Sequence, residues 1–225
     1  MSMGKLVIVP TPIGNLEDIS QRALRELSEA DLILCEDTRK TGILLKKYGV
    51  ETRMVSHHKF NEHERVRQIM DRLRGGGDVA LVTDAGTPGI SDPGYLIVRH
   101  CLDAHLPVEC LPGPTAFVPA LVVSGLPNDR FCFEGFLPQK KGREKRFREL
   151  AGETRTMVFY ESPHRLVKTL QKMVDVFGPE RPASVSRELS KMYEETQRGT
   201  LESLYRHFLS QGVKGELVVV VSGCK

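Results

Sequence analysis

Three short segments of this chain are packed with glycine, proline and small polar residues: PTPIGN at 10–15, TDAGTPGISDPG at 83–94 and PGPTA at 112–116. Each follows an apolar run. Small residues let a ligand approach the main chain closely, and exposed amides then bind its polar edges. One such loop reads as a turn. Three of them, one twelve residues long, read as a binding surface. None has the glycine spacing of a dinucleotide loop or the Lys-Ser/Thr ending of a phosphate loop. Asp84 also puts a negative charge where a phosphate would sit. The expected ligand therefore lacks a phosphate chain; an adenosyl group with an amino acid tail and a cationic sulfur fits.

Charged clusters supply the remaining chemistry. Glu36, Asp37, Thr38 and Arg39 follow an apolar run and open a helix, where acids complement the helix dipole; Arg39 has no evident core role and is a substrate candidate. In the run Glu161-Ser162-Pro163-His164-Arg165, Ser162 and Pro163 read as a helix cap and first turn. Capping leaves His164 and Arg165 unexplained. Arg187, Glu188 and Lys191 cluster at a strand end. Between 140 and 148 lie six basic residues and one acid, including Lys140, Lys141, Arg143 and Arg146. Such a run is either a solvated helix face or a phosphate grip. Phe131, Phe133 and Phe136 precede it, and cations beside aromatics suit single-stranded nucleic acid, although alternating Phe also make core strands. His57, His58 and His63 have no completing Cys or carboxylate pair, so no metal is expected.

The elements that must position these residues follow from hydrophobic spacing. Apolar runs at 6–9, 32–35, 79–82 and 108–111 read as strands. Helices fill the intervals: one around 19–27 with Asp18 or Ser20 as cap, 38–48 ending at Gly49, one capped by Asn61 and carrying Val66, Ile69, Met70 and Leu73, and 94–106. This alternation predicts a mainly parallel sheet covered by helices. In such sheets ligands bind beyond the carboxyl ends of the strands. The Leu-Pro-Gly-Pro run near 112–116 breaks the pattern. The expected domains are 1–114 and 115–225. The second should hold a helix at 115–123, strands at 131–136, 157–160, 183–188, 193–199 and 217–221, and helices at 163–177 and 201–209.

Composition sets outer limits. At 40% apolar and 27% charged residues with net charge +3, the chain reads as globular, and the charge alone implies no nucleic acid. No apolar run approaches a membrane span, and Leu6 to Val9 is too short for a signal peptide. Five scattered cysteines without a CxxC pair read as reduced thiols, which points to the cytoplasm.

The runs VPTPIGNLEDIS, CEDTRKTGILL, VTDAGTPGISDPG, LPGPTA, FEGFLP and FYESPHR together resemble the tetrapyrrole (precorrin/corrin) methylase fold family. Within it they are most similar to the branch that methylates a cytidine 2'-hydroxyl of 16S rRNA. The resemblance covers nearly the whole chain. It implies two α/β domains with an S-adenosyl-L-methionine cleft between them, a homodimer, and 16S rRNA or the small ribosomal subunit as partner. Members of that branch often continue into a further helical segment; the sequence given stops at Lys225, so any RNA grip from that segment is expected to be missing or unneeded.

Motif by motif, the resemblance puts the cofactor against Pro12, the central loop Asp84, Ala85, Gly86, Thr87 and Ile90, the third loop Thr115 and Ala116, and Glu161 and Leu189 of the second domain. Expected substrate contacts are Asn15, Asp37, Arg39, Lys140, Lys141, Arg143, Arg146, His164, Arg165, Arg187 and Lys191. The implied reaction is in-line displacement: the ribose 2'-oxygen attacks the sulfonium methyl and S-adenosylhomocysteine leaves. Catalytic candidates are Glu36, Arg39, Glu161 and Arg187. Glu36, Asp37, Glu161, Glu188 and His164 are all open as the proton acceptor, and Arg39 or Arg187 as stabiliser of the developing alkoxide. The competing readings are a C-methyltransferase acting on a tetrapyrrole ring and a non-catalytic RNA-binding ribosome-assembly protein.

Overall fold

The computed structural model describes residues 3–58 and 61–224. They form two compact units, 1–115 and 116–225. The first contains β1 (Leu6–Ile8), α1 (Gln21–Glu29), β2 (Leu32–Cys35), α2 (Thr38–Lys47), β3 (Met54–Ser56), α3 (Glu62–Arg74), β4 (Val79–Leu81), α4 (Tyr95–Asp103) and β5 (Val108–Cys110). Its five strands pair in the order β3-β2-β4-β1-β5, and every pairing is parallel.

Residues of the three inner strands β2, β4 and β1 point alternately to two cores, which is why those strands are apolar throughout. Leu6, Ile8, Leu34 and Leu81 face Ile69 and Leu73 of α3 and Ile97 of α4. Val7, Val9, Ile33 and Ala80 face Ala23 and Leu27 of α1 and Leu45 of α2. Ser20 caps α1 by accepting a hydrogen bond from Ala23 N at 3.0 Å. Asn61 stands at the start of α3 but does not cap it with its side chain, contrary to expectation. Its Oδ1 accepts from His58 N and its amide donates to Ser56 O, so it fixes the exit of β3.

The second unit contains α5 (Phe117–Ser124), β6 (Phe131–Phe136), α6 (Arg143–Ala151), β7 (Thr156–Glu161), α7 (Leu166–Phe177), β8 (Pro182–Arg187), β9 (Glu195–Thr200), α8 (Leu201–Gln211) and β10 (Leu217–Val221). The strand order is β6-β7-β10-β8-β9. Only β6 and β7 are parallel; the other three pairings are antiparallel, so the β-α alternation of the first unit does not carry over. One face packs Met157, Phe159, Val185 and Val219 against Phe147, Leu170, Met173 and Leu204 of α6, α7 and α8. α5 packs against the strands β7 to β10. The long helix begins at Leu166, not at Pro163: residues 163–165 form a turn closed by Ser162 O, which accepts from the amides of Arg165 and Leu166. The Ser162 hydroxyl takes the Arg165 guanidinium, not a helix amide. Among the described residues no helix is long and apolar enough to cross a membrane.

Candidate active site at the carboxyl edge of the first sheet

All five strands of the first sheet run the same way, so all five following segments leave from one edge. The order β4-β1-β5 makes the three glycine-rich loops immediate neighbours. They are joined directly. Thr11 and Gly86 exchange two backbone hydrogen bonds of 2.9 Å. Thr11 Oγ1 donates to Thr83 O at 3.2 Å. Thr87 Oγ1 donates to Pro114 O at 3.0 Å and lies 2.6 Å from Thr115 Oγ1. Gly86 sits at φ 85°, a left-handed conformation that glycine adopts without cost. At Gly113 the constraint is space: a Cβ would lie 2.6 Å from Pro10 Cβ, so only glycine lets the first and third loops touch.

On the other flank β2 brings in the acidic segment. Thr83 Oγ1 donates to Glu36 Oε2 at 3.2 Å. Asp37 caps α2 through Arg39 N and also grips the Arg39 guanidinium at 2.7 and 3.1 Å. Those hydrogen bonds hold the Asp37 carboxyl well below the usual carboxylate range. Lys40 Nζ pairs with Asp84 Oδ2 at 2.6 Å, a hydrogen bond that raises the lysine's pKa, while Asp84 Oδ1 is buried without a partner among the described residues. Asp92, at the far end of the central loop, is pushed up to about 6 by burial first and then by the nearby charges of Glu36 and Asp84. His57 is buried with both ring nitrogens unpartnered among the described residues; burial, then Arg65 and His58, lower it to about 4.

Two adjoining cavities share Asp84. One, of about 420 Å³, is lined by Glu36, Asp37, Thr38, Arg39, Ser56, His58 and Asp84. The other, of about 170 Å³, runs from Thr11 and Pro12 to Lys40 and Leu44. The amides of Ala85 and Thr87 have no backbone partner among the described residues. Free amides, a carboxylate with a spare buried oxygen and small side chains suit a ligand with polar edges and a positive centre.

A family model for tetrapyrrole (corrin/porphyrin) methylases matches residues 5–205. A ribosomal RNA small subunit methyltransferase I from Thermotoga maritima is 46% identical, the match covering 98% of this chain and 99% of that protein. The protein of the same name from Escherichia coli O157:H7 is 47% identical over 100% of this chain and 79% of its own length. The chain belongs to the tetrapyrrole methylase family. Its fold is shared by a uroporphyrin-III C-methyltransferase from Thermus thermophilus solved with S-adenosylhomocysteine, at 20% identity and a TM-score of 0.65, covering 96% of this chain and 97% of that one.

In this tetrapyrrole methylase the expected site residues have unequal freedom. Pro12, Asp84, Ala85, Gly86, Thr87, Ile90 and Thr115 lie on or beside the joined loops. Ala116 is the first residue of the second unit and precedes α5. Asn15 caps a short 3-10 turn through Glu17 N, a structural duty. In the second unit Glu161 is 3% exposed and fully occupied. It accepts from Thr169 Oγ1 at 2.6 Å and Ser162 N at 2.7 Å and pairs with Arg165 at 2.7 Å, tying β7 to α7. Arg187 pairs across the ladder with Glu195. Lys191 bridges Glu188 and Glu216, each at 3.0 Å. Leu189 is buried between two residues with left-handed backbone, Glu188 and Ser190. His164 is exposed. Sequence reading did not single out Lys40, Thr83 or Asp92. Asp92 stood inside a quoted motif, but the Glu36 charge that acts on it comes from another segment.

Proposed function

We propose that this chain transfers a methyl group from S-adenosyl-L-methionine to 16S rRNA of the small ribosomal subunit, at a cytidine 2'-hydroxyl. The observation that carries this reading is the near full-length identity to proteins named ribosomal RNA small subunit methyltransferase I. The joined loops at the sheet edge support it, because they offer the cofactor a surface without phosphate chemistry. When bound, S-adenosyl-L-methionine supplies a methyl group already activated by positive sulfur. Pro12, the segment from Asp84 to Thr87, Ile90 and Thr115, all of the first unit, hold it. The chain works in the cytoplasm as a homodimer.

The chain's own task is alignment. Holding the reacting atoms at about 3–3.5 Å accounts for much of such a rate enhancement. The 2'-hydroxyl must also lose its proton. Glu161 and Glu188 are engaged inside their unit, and Asp37 is locked to Arg39 in a state that makes it a poor base. Glu36 takes one hydrogen bond from Thr83 and lines the larger cavity. It is the proton acceptor in this proposal. Arg39, whose side chain is 88% exposed and paired with Asp37, is the RNA contact in this proposal.

The test is transfer of labelled methyl from S-adenosyl-L-methionine to isolated 30S subunits and naked 16S rRNA, with a uroporphyrinogen-type acceptor in parallel. Label in 16S rRNA alone is the expected result. Label only on the tetrapyrrole, or no transfer despite cofactor binding, overturns the reading in favour of one or the other rival.

A further inference from the structure

The basic run at 140–148 forms the turn before α6 and the first six of that helix's nine residues, and its cations fall into two groups. Arg143 and Arg146 are occupied inside the unit. Arg143 donates to Pro138 O at 3.1 Å and Thr169 Oγ1 at 2.7 Å, and lies 5.1 Å from the centre of the Phe147 ring. Arg146 donates twice to Glu134, at 2.6 and 2.9 Å, and once to Glu149. Lys140, Lys141 and Arg148 are exposed and have no ion pair among the described residues; Lys145 has only a 3.8 Å contact with Glu149.

Within the helix Lys145 and Arg148 stand about one turn apart on one side, while Lys140 and Lys141 lie in the turn that leads into it. Lys140, Lys145 and Arg148 line a groove of about 460 Å³ with Gly142, Glu144 and Glu149. Its two acids are answered from elsewhere: Glu144 by Lys172 at 2.7 Å and Glu149 by Arg146 at 3.0 Å. The groove therefore presents an excess of positive charge, which fits a chain of phosphates better than a single anion. A membrane surface is disfavoured, because a helix that lies on lipid inserts its apolar face, and here Phe147 and Leu150 are buried in the core.

We infer that Lys140, Lys141, Lys145 and Arg148 form a track for the backbone of the RNA substrate, while Arg143 and Arg146 build the helix that carries it. The inference rests on the proposed rRNA reading. It is tested on the full chain by measuring 16S rRNA affinity at several salt concentrations. Changing Lys140, Lys141, Lys145 and Arg148 together to alanine should lower the log-log salt slope by roughly 0.7 for each lost contact, about 2 to 3 in all, and weaken binding about tenfold or more. Calorimetric affinity for S-adenosyl-L-methionine should be unchanged. The double variant Arg143→Ala/Arg146→Ala should melt earlier yet keep the wild-type slope. A quadruple variant with the wild-type slope, or loss of slope only in the double variant, overturns the track alone. Wild-type protein that binds neither 16S rRNA nor 30S subunits overturns the functional reading with it.

Discussion

At Asp92 burial works against charge. The folded chain raises this carboxyl from 3.8 to about 6, so the folded state holds the proton more tightly than the unfolded one. Below about pH 4 both states are protonated and nothing is lost. As pH rises through 6 the buried carboxylate forms, and its penalty reaches roughly 1–3 kcal/mol. Asp92→Asn should therefore match wild type in urea unfolding at pH 4 and exceed it by that amount at pH 8; equal stability at both values would remove the strain at this position. Glu36 makes the opposite kind of prediction, on rate. Glu36→Gln keeps the shape and the Thr83 contact but cannot accept a proton. It should lower kcat about a hundredfold and leave cofactor affinity unchanged. A merely structural Glu36 would leave kcat near the wild-type value in this isosteric variant.

Among the elements, the loops matter through their contacts with each other. Gly113→Ala puts a methyl group 2.6 Å from Pro10 Cβ and forces the first and third loops apart. The expected cost is about 1–3 kcal/mol of stability, with a loss of S-adenosyl-L-methionine affinity in calorimetry. A Gly113→Ala variant that binds normally would dissociate this packing from the cofactor site. β1 and β4 were readable because each is an unbroken apolar run, and β5, though interrupted by Glu109, because Pro112 closes it. β3 was not: its three residues are only half buried, at the sheet edge, so no apolar run marks it. α6 was hidden for a related reason, since its buried face needs only Phe147 and Leu150 amid charge. The row of Phe131, Phe133 and Phe136 breaks strict alternation. A bulge between Phe133 and Gly135 restores it, so that Phe133 and Phe136 both meet Tyr160, at 5.0 and 5.6 Å. Such a register shift depends on the partner strand and leaves little local trace.

For the molecule as a whole, the parallel first sheet followed from strand–helix alternation, whereas the mostly antiparallel second sheet did not. β10, the last strand in the chain, inserts between β7 and β8, a pairing set by contacts far apart in sequence. The same distance effect governs the site. The loops were visible as composition, but the Lys40–Asp84 pair and the Glu36–Thr83 contact span 44 and 47 residues. The central claim is that these loops serve ribose methylation of small-subunit RNA. A 2'-O-methyl group removes the nucleophile of alkaline RNA cleavage, so a modified nucleotide leaves a gap in a hydrolysis ladder. The decisive measurement is such a ladder on 16S rRNA from 30S subunits treated with the protein and S-adenosyl-L-methionine. The account predicts one new gap, at a cytidine, that disappears with Glu36→Gln at matched reaction time. Methyl incorporation into the RNA with an unbroken ladder would place the methyl on a base and contradict it.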